Sequence, residues 1–124
     1  MIRYVVWPAV IALTACTEPV GPVDVVTTNE QEVRIENGTS AAIYYFAIEA
    51  NALMLANWGP CSNPATCPSV QSGQVHVLPF AEIALYTPTA EEAVLYWWHL
   101  KPAGNGTFAP DKIRSVRITL RPGA

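Results

Sequence analysis

The chain has 124 residues, of which 51% are hydrophobic and 14% are charged, and this composition excludes a disordered protein and fits one compact domain. Seven Lys and Arg residues lie scattered along the sequence and are outnumbered by ten Asp and Glu residues. Because phosphate binding needs clustered cations, the charge pattern argues against nucleic acid as a partner.

The first fifteen residues have the profile of a signal peptide. Arg3 is followed by an uncharged, mostly apolar run over residues 4–15. This run is shorter than the roughly 20 residues that a membrane-spanning helix needs, and Pro8 within it weakens a helix. We therefore expect residues 1–15 to direct export and to be removed.

Leu13-Thr14-Ala15-Cys16 resembles the lipobox of bacterial lipoproteins, in which an aliphatic and two small residues precede a cysteine. The resemblance covers residues 1–16. It implies cleavage before Cys16, a lipid on its sulfur and anchoring of the exported protein to a membrane of the cell envelope. Residue 17 is Thr rather than Asp, which by the same resemblance implies the outer membrane in a Gram-negative cell. The alternative is a buried N-terminal helix or strand in which Cys16 is an ordinary apolar residue.

The residues after Cys16 allow two interpretations. Two prolines and a glycine within residues 17–22 interrupt regular structure, and an extended chain from residue 17 to residue 30 reaches roughly 45 Å. Residues 16–30 are therefore predicted to be a lipidated tether, followed by a single domain at 31–124. The alternative, equally favoured, is that the valines of residues 23–26 form a first edge strand.

Alternation of apolar and polar residues predicts strands in the rest of the chain. Val33 and Ile35 alternate with charged neighbours, and residues 41–48 are rich in aromatic and β-branched side chains. Asn37-Gly38 lies between them and is typical of a tight turn. These two segments are therefore predicted to form a β-hairpin.

Four further segments extend the β pattern. Residues 53–58 are predicted to form a short strand or a helical turn, and a strand around Val75 and Val77 is predicted to end at Pro79. Residues 93–101 and 113–120 are also predicted strands. Residues 87–92 have room for one helical turn. Five to seven short strands, eleven prolines and no clear amphipathic helix predict an all-β fold, a small antiparallel β-sandwich of immunoglobulin-like or similar type, or a small barrel.

Three cysteines are an odd number for an exported protein. If Cys16 carries lipid, Cys61 and Cys67 remain as a pair in an oxidising compartment. A redox pair or a metal site is the alternative, but redox pairs favour two intervening residues and this pair has five. We therefore predict a structural disulfide between Cys61 and Cys67.

The sequence contains no familiar catalytic signature, because it lacks a Gly-rich phosphate loop, a nucleophile elbow, an HExxH motif and a CxxC pair. His76 and His99 with a distant carboxylate such as Glu82 could make a metal site, but the two histidines supply only two of the usual three or four ligands. The simpler interpretation is that each histidine packs on its neighbours in a strand. We predict no enzyme activity, no cofactor and no metal.

Tyr96-Trp97-Trp98-His99 is the candidate binding feature. On a strand, Tyr96 and Trp98 face one side while Trp97 and His99 face the other. If the face bearing Trp97 and His99 is exposed, Trp97 could join Trp58 or a nearby tyrosine in a platform for a sugar ring or a protein. The alternative is that the cysteine-bearing loop folds over the face and buries it.

The function expected from these features is that of a lipid-anchored envelope protein whose domain works by contact with an envelope protein or a glycan. The runner-up is a carbohydrate- or peptidoglycan-binding module that uses the tryptophan face. A metal-binding or hydrolytic protein is a third class. Residues 30–124 resemble no characterised family, so the sequence names no specific partner.

Overall fold

The structure is a computed structural model, and it describes residues 21–28 and 31–121. The predicted signal peptide of residues 1–15 and the predicted lipidation site Cys16 lie outside the described residues. Within the described part, no helix is long and apolar enough to span a membrane. The strands there are β1 (Val23–Thr28), β2 (Glu32–Asn37), β3 (Ile43–Glu49), β4 (Ser69–Val70), β5 (Val75–Pro79), β6 (Glu92–Trp98), β7 (Leu100–Gly104), β8 (Thr107–Pro110) and β9 (Arg114–Thr119).

The strands form two facing antiparallel sheets and a separate hairpin. One sheet has the order β1-β2-β5, the other has the order β4-β3-β6-β9, and β7 pairs only with β8. At one edge the sheets meet, where the Thr27 hydroxyl donates to the Thr119 carbonyl at 2.8 Å. The predicted all-β sandwich is confirmed.

Side chains from both sheets fill the space between them. On β2, Val33 and Ile35 are fully buried while Arg34 and Glu36 are exposed, as the alternation predicts. Because β3 and β6 lie inside their sheet, their inward residues meet this layer directly. We call the following buried residues the inner core: Val33, Ile35, Ile43, Ala47, Val70, Leu78, Phe80, Ile83, Ala90, Ala93, Leu95, Ile118 and Leu120.

The predicted hairpin across Asn37-Gly38 is wrong. β2 pairs with β1 and β5, whereas β3 belongs to the opposite sheet, so this dipeptide begins a crossing between the sheets. The buried Asn37 amide donates to the carbonyls of Ala41 and Val70 at 2.8 and 2.9 Å. A side chain on Gly38 would lie 2.6 Å from the Pro22 carbonyl oxygen, so the glycine is needed for close approach rather than for a hairpin turn.

The predicted tether is also too long, because its second half belongs to the sandwich. Val23 to Thr28 pair with Asn37 to Glu32 along the whole of β2, so the edge-strand alternative is the one that the structure contains. The alternating valines Val23 and Val25 pack against the inner core. The domain therefore begins ahead of residue 31, and residues 23–28 are not a spacer.

The remaining segments differ from the prediction in detail. Residues 53–55 form a single 3-10 turn, whereas residues 87–92 contain no helical turn. The predicted strand of residues 93–101 is interrupted at His99 and continues as β7. Asn105 has a φ of 55° at the tip of the β7–β8 hairpin, a conformation that asparagine tolerates better than most residues.

Candidate functional site

The loop between β3 and β4 folds back over the four-stranded sheet. Cys61 and Cys67 form a disulfide within it, with Cα atoms 5.8 Å apart, which confirms the predicted pairing. The Asn63 carbonyl accepts backbone hydrogen bonds from Thr66 and Cys67 at 3.1 and 3.0 Å. The disulfide and this turn give the loop a fixed shape over the sheet.

The outer face of the same sheet carries an aromatic cluster. Register pairs Tyr44 with Trp98 and Phe46 with Tyr96 across β3 and β6. These four side chains point away from the inner core because strand residues alternate between faces. Together with Trp58, Cys61 and Cys67 of the loop they form what we call the outer aromatic cluster: Tyr44, Phe46, Trp58, Cys61, Cys67, Tyr96 and Trp98.

Trp58 is the loop residue whose side chain packs on the aromatic rings of the sheet. Its ring lies 4.8 Å from Phe46 and 4.6 Å from Tyr96, measured between ring centroids. Trp98 beneath is only 1% exposed, and its indole N–H donates to the Cys61 carbonyl at 2.9 Å. The disulfide loop therefore buries the face bearing Tyr96 and Trp98. The predicted cover over the face bearing Trp97 and His99 is wrong, because the loop lies on the other side of the sheet.

Trp97 lies on the opposite face of the sheet from Trp58. It pairs with Tyr45 and packs, half-buried, against the inner core. The Arg114 guanidinium lies 5.4 Å from its ring centroid, in a cation–π contact, and His99 meets the ring edge-on at 5.7 Å. The predicted platform of Trp97, His99 and Trp58 is therefore wrong, because the sheet separates Trp58 from the other two.

The histidines each pack on their neighbours. His76 lies 5.6 Å from the Tyr45 ring, and His99 Nε2 lies 3.0 Å from the Thr39 hydroxyl. Among residues 21–28 and 31–121, no three His, Cys, Asp or Glu side chains are placed to hold a metal ion. Glu82 instead acts on Tyr45: burial raises the pKa of that phenol above 10.0, and the Glu82 carboxylate raises it further.

A groove that sequence reasoning missed separates the disulfide loop from the β7–β8 hairpin. Its volume is about 350 Å³, and its lining includes Phe108, which is 40% exposed. Since the two walls are more than forty residues apart in sequence, no local pattern predicts the groove. The residues that line it are Ser62, Asn63, Pro64, Gly106, Thr107 and Phe108.

The groove has a volume in the lower range of small-ligand sites, but it is open and its lining residues are mostly polar or small, with Pro64 and Phe108 as the apolar ones. Small-molecule sites are clefts of roughly 300 to 1,000 Å³ with an apolar or aromatic wall and a few polar groups. Asn63 already uses its side-chain oxygen to accept from the Ala65 N–H at 2.9 Å, so its amide N–H₂ group is the part free to face a ligand. No protein-family model, curated protein or solved structure matches the chain.

Proposed function

We propose that the chain is the precursor of an exported lipoprotein, cleaved before Cys16, anchored by lipid on that cysteine and acting in the cell envelope by contact rather than by catalysis. The observation that carries the proposal is the Cys61–Cys67 disulfide. It fits an oxidising compartment and leaves Cys16, within Leu13-Thr14-Ala15-Cys16, as the third cysteine of the chain.

The energetics of acylation favour a stable attachment. Each buried methylene of an acyl chain contributes about 0.8 kcal/mol, so one chain binds reversibly while two or three hold a protein on the membrane. The resemblance of Leu13-Thr14-Ala15-Cys16 to a lipobox implies a thioether-linked diacylglyceryl group on Cys16, which supplies two acyl chains. The domain would then remain at the membrane surface and contact partners at the same surface.

Metabolic labelling with palmitate tests the proposal. Cells expressing the full chain should incorporate label into the protein, and the protein should enter the detergent phase on Triton X-114 partitioning. Cys16→Ser should abolish both. Cys61→Ser/Cys67→Ser is the matched control, because it removes two cysteines without touching the anchor and should keep the label. Labelling of the Cys16→Ser protein at the wild-type level would refute the proposal.

A second candidate function, glycan binding, is favoured by the groove beside Phe108 rather than by Trp97. Phe108 offers an exposed aromatic face next to the polar side chains of Ser62, Asn63 and Thr107, and aromatic rings next to polar groups suit a sugar. Co-sedimentation with purified peptidoglycan tests this function. Phe108→Ala should reduce the bound fraction, while Met54→Ala, an exposed apolar change elsewhere, should not. Equal binding of the two variants would exclude the groove as the glycan site.

A further inference from the structure

The first described residue lies at one defined end of the sandwich. The Gly21 N–H donates to the Gly38 carbonyl at 2.6 Å, and the Gly38 N–H donates to the Pro22 carbonyl at 3.0 Å. Thr39, next in the chain, contacts His99 at 3.0 Å, and the Asp111 N–H donates to the His99 carbonyl at 2.8 Å. We call the surface formed by residues 38–39, 99–101 and 111–114 around Gly21 the Gly21 end.

The chain between Cys16 and this end is short. Gly21 follows Cys16 by five residues, which even when fully extended span at most about 18 Å. A domain of about 100 residues has a radius of gyration of about 13 Å, so the connection is shorter than the domain is wide. A lipid on Cys16 would therefore keep the Gly21 end next to the lipid head groups.

Charged side chains of both signs lie at the Gly21 end. Lys101, Lys112 and Arg114 are exposed there, and Asp111 lies 3.9 Å from Lys101. Asp24 and Glu36 face each other across β1 and β2 at the same end and are exposed on the outer face of the three-stranded sheet, and Glu18 precedes Gly21 by three residues in the sequence. Ile113 adds an apolar side chain that is 44% exposed. The surface thus offers three cations and an apolar side chain to lipid head groups, with exposed carboxylates beside them.

The opposite end of the sandwich is acidic. It lies about 20 Å away, one strand length at about 3.3 Å per residue. Glu32 begins β2, Glu49 ends β3, and Glu91 and Glu92 lie at the start of β6. Glu92 pairs with Arg117 at 3.6 Å, and Arg121 lies at the same end, where it donates to the Ala90 carbonyl at 3.0 Å. Glu49 is buried, and its carboxylate accepts from the N–H groups of Asn51 and Ala52. The short connection to Cys16 therefore determines which end faces the membrane, and the cations of the Gly21 end add attraction to an anionic surface.

We propose that the Gly21 end rests on the phospholipid surface, with Lys101, Lys112, Arg114 and Ile113 facing the head groups and the glutamate-bearing end facing away. The orientation depends on the proposed lipidation of Cys16. It follows that exposed Met54 and Leu55, after the last residue of β3, face the envelope space.

Photo-crosslinking to lipid tests the orientation. The lipidated full chain, processed in cells and purified, is placed in vesicles of phosphatidylethanolamine and phosphatidylglycerol with p-benzoylphenylalanine in place of Ile113 or, as the matched control, of Met54. Both positions are exposed and apolar, but they lie at opposite ends. The phospholipid adduct should be several-fold more abundant from position 113. Since each cation near an anionic surface contributes about 1 kcal/mol, Lys112→Gln should lower the ratio of the two adducts about fivefold.

The outcomes separate the orientation from the lipidation. Equal adducts from positions 113 and 54, or more from position 54, in protein whose mass includes the lipid on Cys16 would overturn the orientation and leave the lipoprotein proposal intact. Protein without lipid on Cys16 would overturn both. Thermal melting of each substituted protein verifies that the domain is folded before irradiation.

Discussion

The two faces of the four-stranded sheet are buried by different means. The inner face meets a second sheet, and its side chains are mostly aliphatic, as at Leu95 and Ile118. The outer face is aromatic, and a loop closed by a disulfide covers it. Burial of the inner face therefore depends on strand pairing over the whole domain. Burial of the outer face depends on the position of one loop.

This difference predicts that a substitution on the outer face lowers the free energy of unfolding by an amount that depends on the disulfide. The loss caused by a substitution on the inner face should not depend on the disulfide. Two residues that share a network give non-additive effects on stability, whereas distant residues give additive ones. The free energies of unfolding of single and combined variants therefore show whether the two faces are stabilised independently.

Trp98→Ala should have the largest effect, lowering the free energy of unfolding by about 4 kcal/mol. The substitution empties a site that is 1% exposed and removes the hydrogen bond to the Cys61 carbonyl. Urea unfolding with and without reductant measures it. The loss should shrink in reductant, because an opened loop no longer packs on the indole. A loss that is identical in both conditions would separate Trp98 from the disulfide loop.

Leu95→Ala should cost about 3 kcal/mol, because Leu95 is fully buried in the inner core. This loss should stay the same, within about 0.5 kcal/mol, in oxidised and reduced protein. The same pair of urea titrations gives the value. A strong dependence on reductant would mean that the loop supports the inner core as well as the outer cluster.

Cys61→Ser/Cys67→Ser should lower stability by about 2 kcal/mol on the chain-entropy model of a short loop. It should also expose Trp58 and Trp98, while Trp97 keeps its contacts with Arg114 and the inner core. Acrylamide quenching of variants that each retain one tryptophan measures the solvent exposure of each indole ring. Greater quenching of Trp97 than of Trp58 would contradict this division between the two faces.

Tyr45 should produce the smallest effect, visible at alkaline pH. Burial, with the Glu82 carboxylate adding to it, raises the pKa of this phenol above 10.0, so the folded chain holds the proton more tightly than the unfolded chain. Below pH 10.0 the ionisation of Tyr45 gives the free energy of unfolding no dependence on pH. Above pH 10.0 the free energy of unfolding falls as the pH rises through the pKa of the folded chain. Tyr45→Phe should flatten this fall, measured as the urea midpoint against pH. An unchanged slope would show that Tyr45 does not contribute.

Much of the inner core was predictable because it depends on local alternation. Val33, Ile35 and Ile118 are buried as the period of two requires. The strand ending at Pro79 and the two later strands were located by the same signal. The Asn37-Gly38 error has a physical cause. The dipeptide suits a hairpin turn, but here the Asn37 amide donates to the carbonyls of Ala41 and Val70, and no local pattern reveals the bond to Val70, which is 33 residues away in sequence.

The candidate site was less predictable than the fold. The alternation correctly separated Trp97 from Trp98, but whether Trp58 joined one or the other depended on the path of the loop. The disulfide followed from counting cysteines, whereas the groove beside Phe108 needs two segments that only the folded chain brings together. Local sequence determines which face a side chain takes, and tertiary packing determines what covers it.

Intact mass spectrometry of the protein purified from cell membranes tests the lipoprotein proposal most directly. We predict a chain that begins at Cys16, carries the mass of a diacylglyceryl group with or without an additional acyl chain, and reacts with thiol reagents at Cys61 and Cys67 only after reduction. A membrane-extracted protein that retains residues 1–15, or that begins at Cys16 without added lipid, would contradict it.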